Sequence, residues 1–158
     1  MPLNHIREQA IAPALALLPA RMSSPPAEIM LLAIGLQESR FTHRRQVGGP
    51  ARGFWQFELG GGVRGVMRHP VTAEHARALC KARGVTATEG EVYAALEHDD
   101  VLAAGFARLL LWSDPARLPA VGEVAAGWDL YMRTWRPGKP HRRTWDALYA
   151  QAMDEVAA

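Results

Sequence analysis

Apolar residues recur three and four positions apart along much of the chain, and sustained alternation of β-branched with polar residues is almost absent. That spacing is the period of an amphipathic helix, so the pattern predicts a mainly α protein. A first helix is expected over residues 4–18, capped by Asn4 and bent near Pro13, whose ring removes an amide donor. Ser23-Ser24-Pro25-Pro26 then joins a serine cap to a proline at the first helical position, a strong start signal for a helix over 25–40. Ile29, Met30, Leu31, Leu32, Ala33, Ile34 and Leu36 leave this helix hardly any polar face, which marks it as the buried centre of the domain.

Residues 42–68 break the period. Gly48, Gly49, Gly53 and the run Gly60-Gly61-Gly62 make the segment read as one long irregular loop, and loops of that length in compact domains tend to bind or to carry an active site. Helices are expected again over 72–83, stopped by Gly84, and from Thr88, which forms a capping box with Glu91, to about His98. Asp99 caps a further apolar helix to Trp112. The last two are expected over 119–135 and 142–155, separated by Arg136-Pro137-Gly138-Lys139-Pro140.

At 158 residues, with no internal repeat or linker, residues 1–158 are expected to form a single domain. A composition of 49% hydrophobic and 22% charged residues excludes a disordered or collagen-like chain. The single cysteine, Cys80, excludes an internal disulfide, and the scattered histidines offer no H-E-x-x-H pair or calcium loop, so neither metal nor cofactor is expected. The net charge is +2, and every basic residue except Lys81 and Lys139 is arginine, which permits a polyanionic partner without requiring one. No stretch reaches the roughly 18–20 apolar residues of a membrane span. The run over 10–20 makes a poor secretory signal, because Pro13 interrupts it and Glu8 stands where basic residues belong.

One stretch carries most of the chemical information: Ala33-Ile34-Gly35-Leu36-Gln37-Glu38-Ser39-Arg40-Phe41, followed by Gly53-Phe54-Trp55-Gln56-Phe57. It puts Glu38 at the C-terminal end of a buried helix, where the helix dipole disfavours a negative charge, among apolar neighbours that would desolvate it. Both effects raise a carboxyl pKa, as a general acid working near neutrality requires. On spacing alone an ordinary glutamate fraying into solvent, held by Arg40 or Arg44, accounts for the pattern equally well.

The run Glu38-Ser39-x-Phe41 at the end of an apolar helix, followed by Gly53-x-x-Gln56, resembles the lytic transglycosylases and goose-type lysozymes. Val124-Ala125-Ala126-Gly127-Trp128-Asp129 sits where that family has an A-x-A-A-Y-N stretch, although the glycines that usually follow are replaced by Leu130-Tyr131-Met132. The resemblance implies a lysozyme-like helical domain with a central buried helix and a long groove-forming loop. It also implies cleavage of the bond between N-acetylmuramic acid and N-acetylglucosamine in peptidoglycan, with Glu38 as acid and then base, forming 1,6-anhydro ends. Ser39 would orient Glu38, while Trp55, Gln56, Trp128, Asp129 and Tyr131 would position the glycan.

A lysozyme-type hydrolase would need a second carboxylate. Glu58, Glu97, Asp99, Asp100 and Asp129 are the candidates; Glu97, Asp99 and Asp100 are more simply read as caps and a solvated face. Trp55, Trp128 and Trp135 are expected in the groove and Trp112 and Trp145 in the core. The basic segment from Trp135 to Arg143 reads as a solvated turn, a contact for the lactyl and peptide carboxylates of the wall, or a nucleic-acid contact; no fold motif supports the last, and no nucleic-acid partner is expected. The expected partner is the peptidoglycan glycan strand and the expected state a monomer. Delivery to the cell wall by phage lysis or virion machinery would fit the poor signal. A catalytically silent phage structural or glycan-binding protein is the rival from another class.

Overall fold

The computed structural model describes residues 1–158 and contains helices and turns but no strands. The first helix forms in three parts: α1 (Leu3–Ile6), a π-helical stretch (Arg7–Ile11) and α2 (Ala12–Leu17). The bend expected at Pro13 is accommodated one turn earlier. There the Ala12 amide reaches five residues back to the Arg7 carbonyl, which widens the turn ahead of the proline ring.

Ser24 starts α3 (Pro25–Ser39) as expected, its hydroxyl accepting from the Ala27 amide at 3.2 Å. Ala27 and every residue from Ile29 to Leu36 are buried, so α3 is the central helix that its apolar pattern predicts. It shares that position with α7 (Asp100–Trp112), where Val101 to Leu109 are also buried and Asp99 caps the start through the Leu102 amide at 2.9 Å. Around this pair pack α5 (Ala73–Arg83), α6 (Glu89–Leu96), α8 (Val124–Trp135) and α9 (Arg142–Ala157), with α9 running along α3. Thr88 caps α6 through the Glu91 amide at 3.4 Å, but the capping box does not close, because the Thr88 amide donates to the Thr86 carbonyl instead of to Glu91; the left-handed stop at Gly84, φ 69°, forms where expected. No helix is long and apolar enough to cross a membrane.

Two boundaries differ from expectation. The irregular segment ends at Glu58 rather than near residue 68, because Leu59–Val63 forms a wide helical turn that runs into α4 (Arg64–Arg68). Burial of Val63 and Val66 outweighs the poor helix propensity of the glycine run. Residues 119–123, expected as the first turn of α8, instead form a turn in which the Glu123 carboxylate accepts from the Ala120 amide at 2.6 Å and Gly122 is left-handed at φ 93°.

The end of α3 is the least ordinary piece of backbone. Arg40 and Phe41, neither a glycine, are both left-handed at φ 56° and 52°. Ser39 holds this reversal: its hydroxyl donates to the Phe54 carbonyl at 2.7 Å and accepts from the Phe41 amide at 3.1 Å. The turn throws the Phe41 ring back onto Gly35, where any Cβ would run into it, and edge-on against Phe54 and Trp55 at 5.6 and 5.5 Å. The following loop is anchored by arginines. Arg44 pairs with Asp100, and Arg45 and Arg52 reach Glu97 at 2.8 and 3.4 Å. Asp99 is the cap that its simpler reading expects, whereas Glu97 and Asp100 are loop anchors rather than a solvated face.

Candidate active site

Glu38 lies in the last turn of α3, half-buried, and the Tyr131 hydroxyl from α8 donates to its Oε2. No cation pairs with it. Burial pushes its carboxyl up from 4.5 to about 7; the hydrogen bond from Tyr131 opposes that shift and the nearby charge of Glu58 adds to it. Tyr131 is itself pushed well above the ordinary phenol range, by burial first and then by the charge of Glu38 and the hydrogen bond to it. It stays a protonated donor whichever state Glu38 adopts. Of the two sequence readings of Glu38, the structure matches the desolvated carboxyl and gives no ion pair to Arg40 or Arg44.

Tyr131 is corrected from glycan contact to partner of Glu38, because it is 2% exposed and an aromatic wall covers its ring. Its ring stacks on Trp145 at 5.5 Å with the planes 7° apart, and Trp128 and Trp135 flank it at 5.4 and 6.2 Å. Two of the indole N–H groups are satisfied by distant carbonyls, Trp145 by Val124 and Trp135 by Trp55, both at 2.9 Å. A phenol held on so many sides has little rotamer freedom, so the donor aimed at Glu38 is pre-placed.

The other residues singled out by the sequence divide sharply. Trp55 is corrected from groove to core: it is 1% exposed and its indole donates to the Leu31 carbonyl at 2.8 Å, leaving no face for a sugar. Ser39 is corrected in role, since its hydroxyl is spent on the Gly35 and Phe54 carbonyls rather than on Glu38 or a ligand. It acts on Glu38 only by fixing the turn that follows it. Gln56 is half-buried and left-handed at φ 52°, and its side-chain amide folds back onto the Gly53 carbonyl at 2.8 Å. Gly53 itself, φ 76°, presses against the Leu96 carbonyl where a Cβ has no room. The G-x-x-Q element is thus a tight, self-bonded turn. Trp128 is half-buried on the aromatic wall and Asp129 is exposed beside Arg133, away from the Glu38 contact. Trp145 is buried as expected, while Trp112 is only half-buried.

A cavity of about 650 Å³ opens between the turn at Gly60, Gly61 and Gly62, the end of α7 and the last turn of α8; neither Glu38 nor Tyr131 lines it. Glu58 and Trp135 line it. They also connect it to Glu38, Glu58 through its charge and Trp135 through its ring against Tyr131. Arg133, Arg136 and Thr134 complete its α8 side. Sequence reasoning marked the glycine run, Glu58 and Trp135, but had no signal for Arg133 and Thr134, which reach the cavity only because α8 packs across α7. Comparison with family models, with curated proteins and with solved structures returns no match, so what this chain does has to be argued from the Glu38 corner itself.

Proposed function

We propose that this chain cleaves the β-1,4 bond between N-acetylmuramic acid and N-acetylglucosamine in peptidoglycan, as a lytic transglycosylase in a lysozyme-like domain. The observation that carries the reading is a lone carboxyl, Glu38, raised to about 7, with a neutral phenol as partner and no cation. At neutral pH about half of such groups carry the proton, and one that has given its proton away is a competent base. The resemblance of the Glu38-Ser39-x-Phe41 and Gly53-x-x-Gln56 runs to the transglycosylases supplies the substrate class.

In this reading Glu38 gives its proton to the glycosidic oxygen as the bond from that oxygen to the muramic C1 breaks. The substrate's own acetamido oxygen supports the electron-poor C1. The Glu38 carboxylate then takes the proton from the C6 hydroxyl as O6 bonds to C1, which closes the anhydro ring and restores the acid. Tyr131 holds the carboxylate through the interval between the two transfers. The glycan would lie along the 650 Å³ cavity, with Trp135 offering a ring to a sugar face. The substrate places the site of action in the cell wall, reached through phage lysis or virion machinery.

One observation favours a second reading, a hydrolase. Glu58 is exposed, lines the cavity and lies close enough for its charge to act on Glu38, as a water-activating carboxylate would. Mass spectrometry of fragments released from purified peptidoglycan separates the two. Ends lighter by one water, absent with Glu38→Gln, are expected; hydrated reducing ends would replace the transglycosylase by the hydrolase, and no release from several wall types would overturn both.

A further inference from the structure

The α8–α9 connection and the end of α3 line a second cavity of about 490 Å³, open to solvent, which shares no lining residue with the large one. Its lining is Arg40, His141, Arg142 and Arg143, with Gln37, Pro140 and Thr144 between them, and it contains no carboxylate. The arginines of the loop after α3 are neutralised, Arg44 by Asp100 and Arg45 and Arg52 by Glu97. Within this cavity only Arg142 has such a partner, Asp146. Arg40 and Arg143, both exposed, ion-pair with no acidic group of the chain, so two permanent charges line the same cavity without a protein counter-ion. Like charges brought together repel unless an anion joins them.

The cavity is also built into the site. Gln37, the neighbour of Glu38, donates through Nε2 to the His141 carbonyl at 2.9 Å and accepts from the Thr144 hydroxyl at 2.9 Å. These bonds pin the basic turn to the end of α3. From the other direction, the Arg142 guanidinium lies over Trp128 at 5.5 Å, and Trp128 packs on Tyr131, the partner of Glu38. Arg40 stands two residues beyond Glu38, in the left-handed turn that Ser39 holds. The backbone that carries these arginines is therefore tied to the end of α3 by the Gln37 hydrogen bonds, and Arg142 to the aromatic wall by ring packing.

Resting on the proposed glycan-cleaving activity, we infer that this cavity binds a carboxylate of the peptide stem carried by the strand, and that the enzyme selects stem-bearing over bare glycan. A carboxylate suits the planar, two-pronged donor of arginine. A stem branches from the glycan strand, which fits a pocket that adjoins the acid through Gln37 and Arg40 and shares no lining residue with the large cavity.

The test is calorimetric titration of the full chain with a disaccharide–tetrapeptide, with the same ligand after its carboxyls are amidated, and with the bare disaccharide. The wild type is expected to bind the acidic ligand about tenfold or more tighter than either of the others, equivalent to about 1.4 kcal/mol. Arg40→Gln combined with Arg143→Gln should collapse that ratio towards one, and Arg40→Lys with Arg143→Lys should restore part of it if the variants keep the wild-type circular dichroism spectrum. Equal binding of the acidic and amidated ligands by the wild type would overturn the inference. So would an arginine-dependent preference for a phosphate polymer such as teichoic acid. Because the readout is binding, a wild type that binds the stem through these arginines but releases no fragments from peptidoglycan refutes the cleavage reading and leaves the pocket standing.

Discussion

Carboxylates in this protein live in two kinds of place. In the arginine-laced belt, Glu89 lies between Arg64 and Arg68 and Asp114 accepts from Arg133, and both are held below the usual carboxylate range chiefly by those hydrogen bonds. At the end of α3, Glu38 has a phenol in place of a guanidinium and a buried setting in place of solvent, and its carboxyl moves the other way. The same functional group is an anchor in one region and a proton donor in the other. Surroundings alone set the difference: a cation within reach favours the anion, and desolvation without a cation favours the acid.

The largest effect should come from removing the acid. Glu38→Gln is expected to lower peptidoglycan turnover by roughly 10²–10⁴-fold. The same variant reports on stability. Because the folded-state pKa of Glu38 lies above its unfolded value, its contribution is fully present below about 4.5 and is lost as pH rises through about 7. Glu38→Gln should therefore stabilise the fold relative to wild type at pH 8, by about 1–3 kcal/mol, and show little gain at pH 4. Thermal melts at the two pH values measure this, and a gain of equal size at both would mean that Glu38 is not desolvated.

Next in size is Tyr131→Phe. The hydrogen bond from Tyr131 lowers the Glu38 pKa, so its loss should move the alkaline limb of kcat/KM upward in pH while lowering turnover about tenfold. An alkaline limb left in place would assign that limb to another group. Glu58→Gln should do the opposite and less, shifting the limb downward by a fraction of a unit, because its charge is the smallest of the causes acting on Glu38. If product analysis showed hydrated ends that vanish with this variant, Glu58 would take the water-activating role.

The smallest effect belongs to the belt. Glu89→Gln leaves the Glu38 corner untouched, and turnover should stay within twofold of wild type, since exposed ion pairs contribute little. A large loss of turnover would erase the distinction between the two regions.

Much of the helical order was legible in the chain. Ser24, Thr88, Asp99 and Gly84 mark helix ends through local chemistry, and caps depend on residues only a few positions apart. Glu38 was also legible as a carboxyl in an apolar stretch. Less visible was the fate of its neighbours. Trp55 in a motif beside the acid suggests a sugar platform, yet the turn at Arg40 and Phe41 drives it inward until its indole meets the Leu31 carbonyl. The glycine run reads as loop, yet the chain coils past a kink at Gly61 into α4, with Val63 and Val66 buried in the core.

The amino-acid sequence by itself determined a mainly helical chain, an apolar α3 and a carboxyl placed at its end, because periodicity, capping and the helix dipole act within a few residues. Tertiary structure alone decided that Tyr131, far along the chain on α8, donates to Glu38, that Glu58 lies near enough to oppose its ionisation, and that Arg40 meets Arg143 across an acid-free cavity. Desolvation and charge proximity are properties of packed neighbours, and those neighbours are chosen by the way α8 and α9 close over α3.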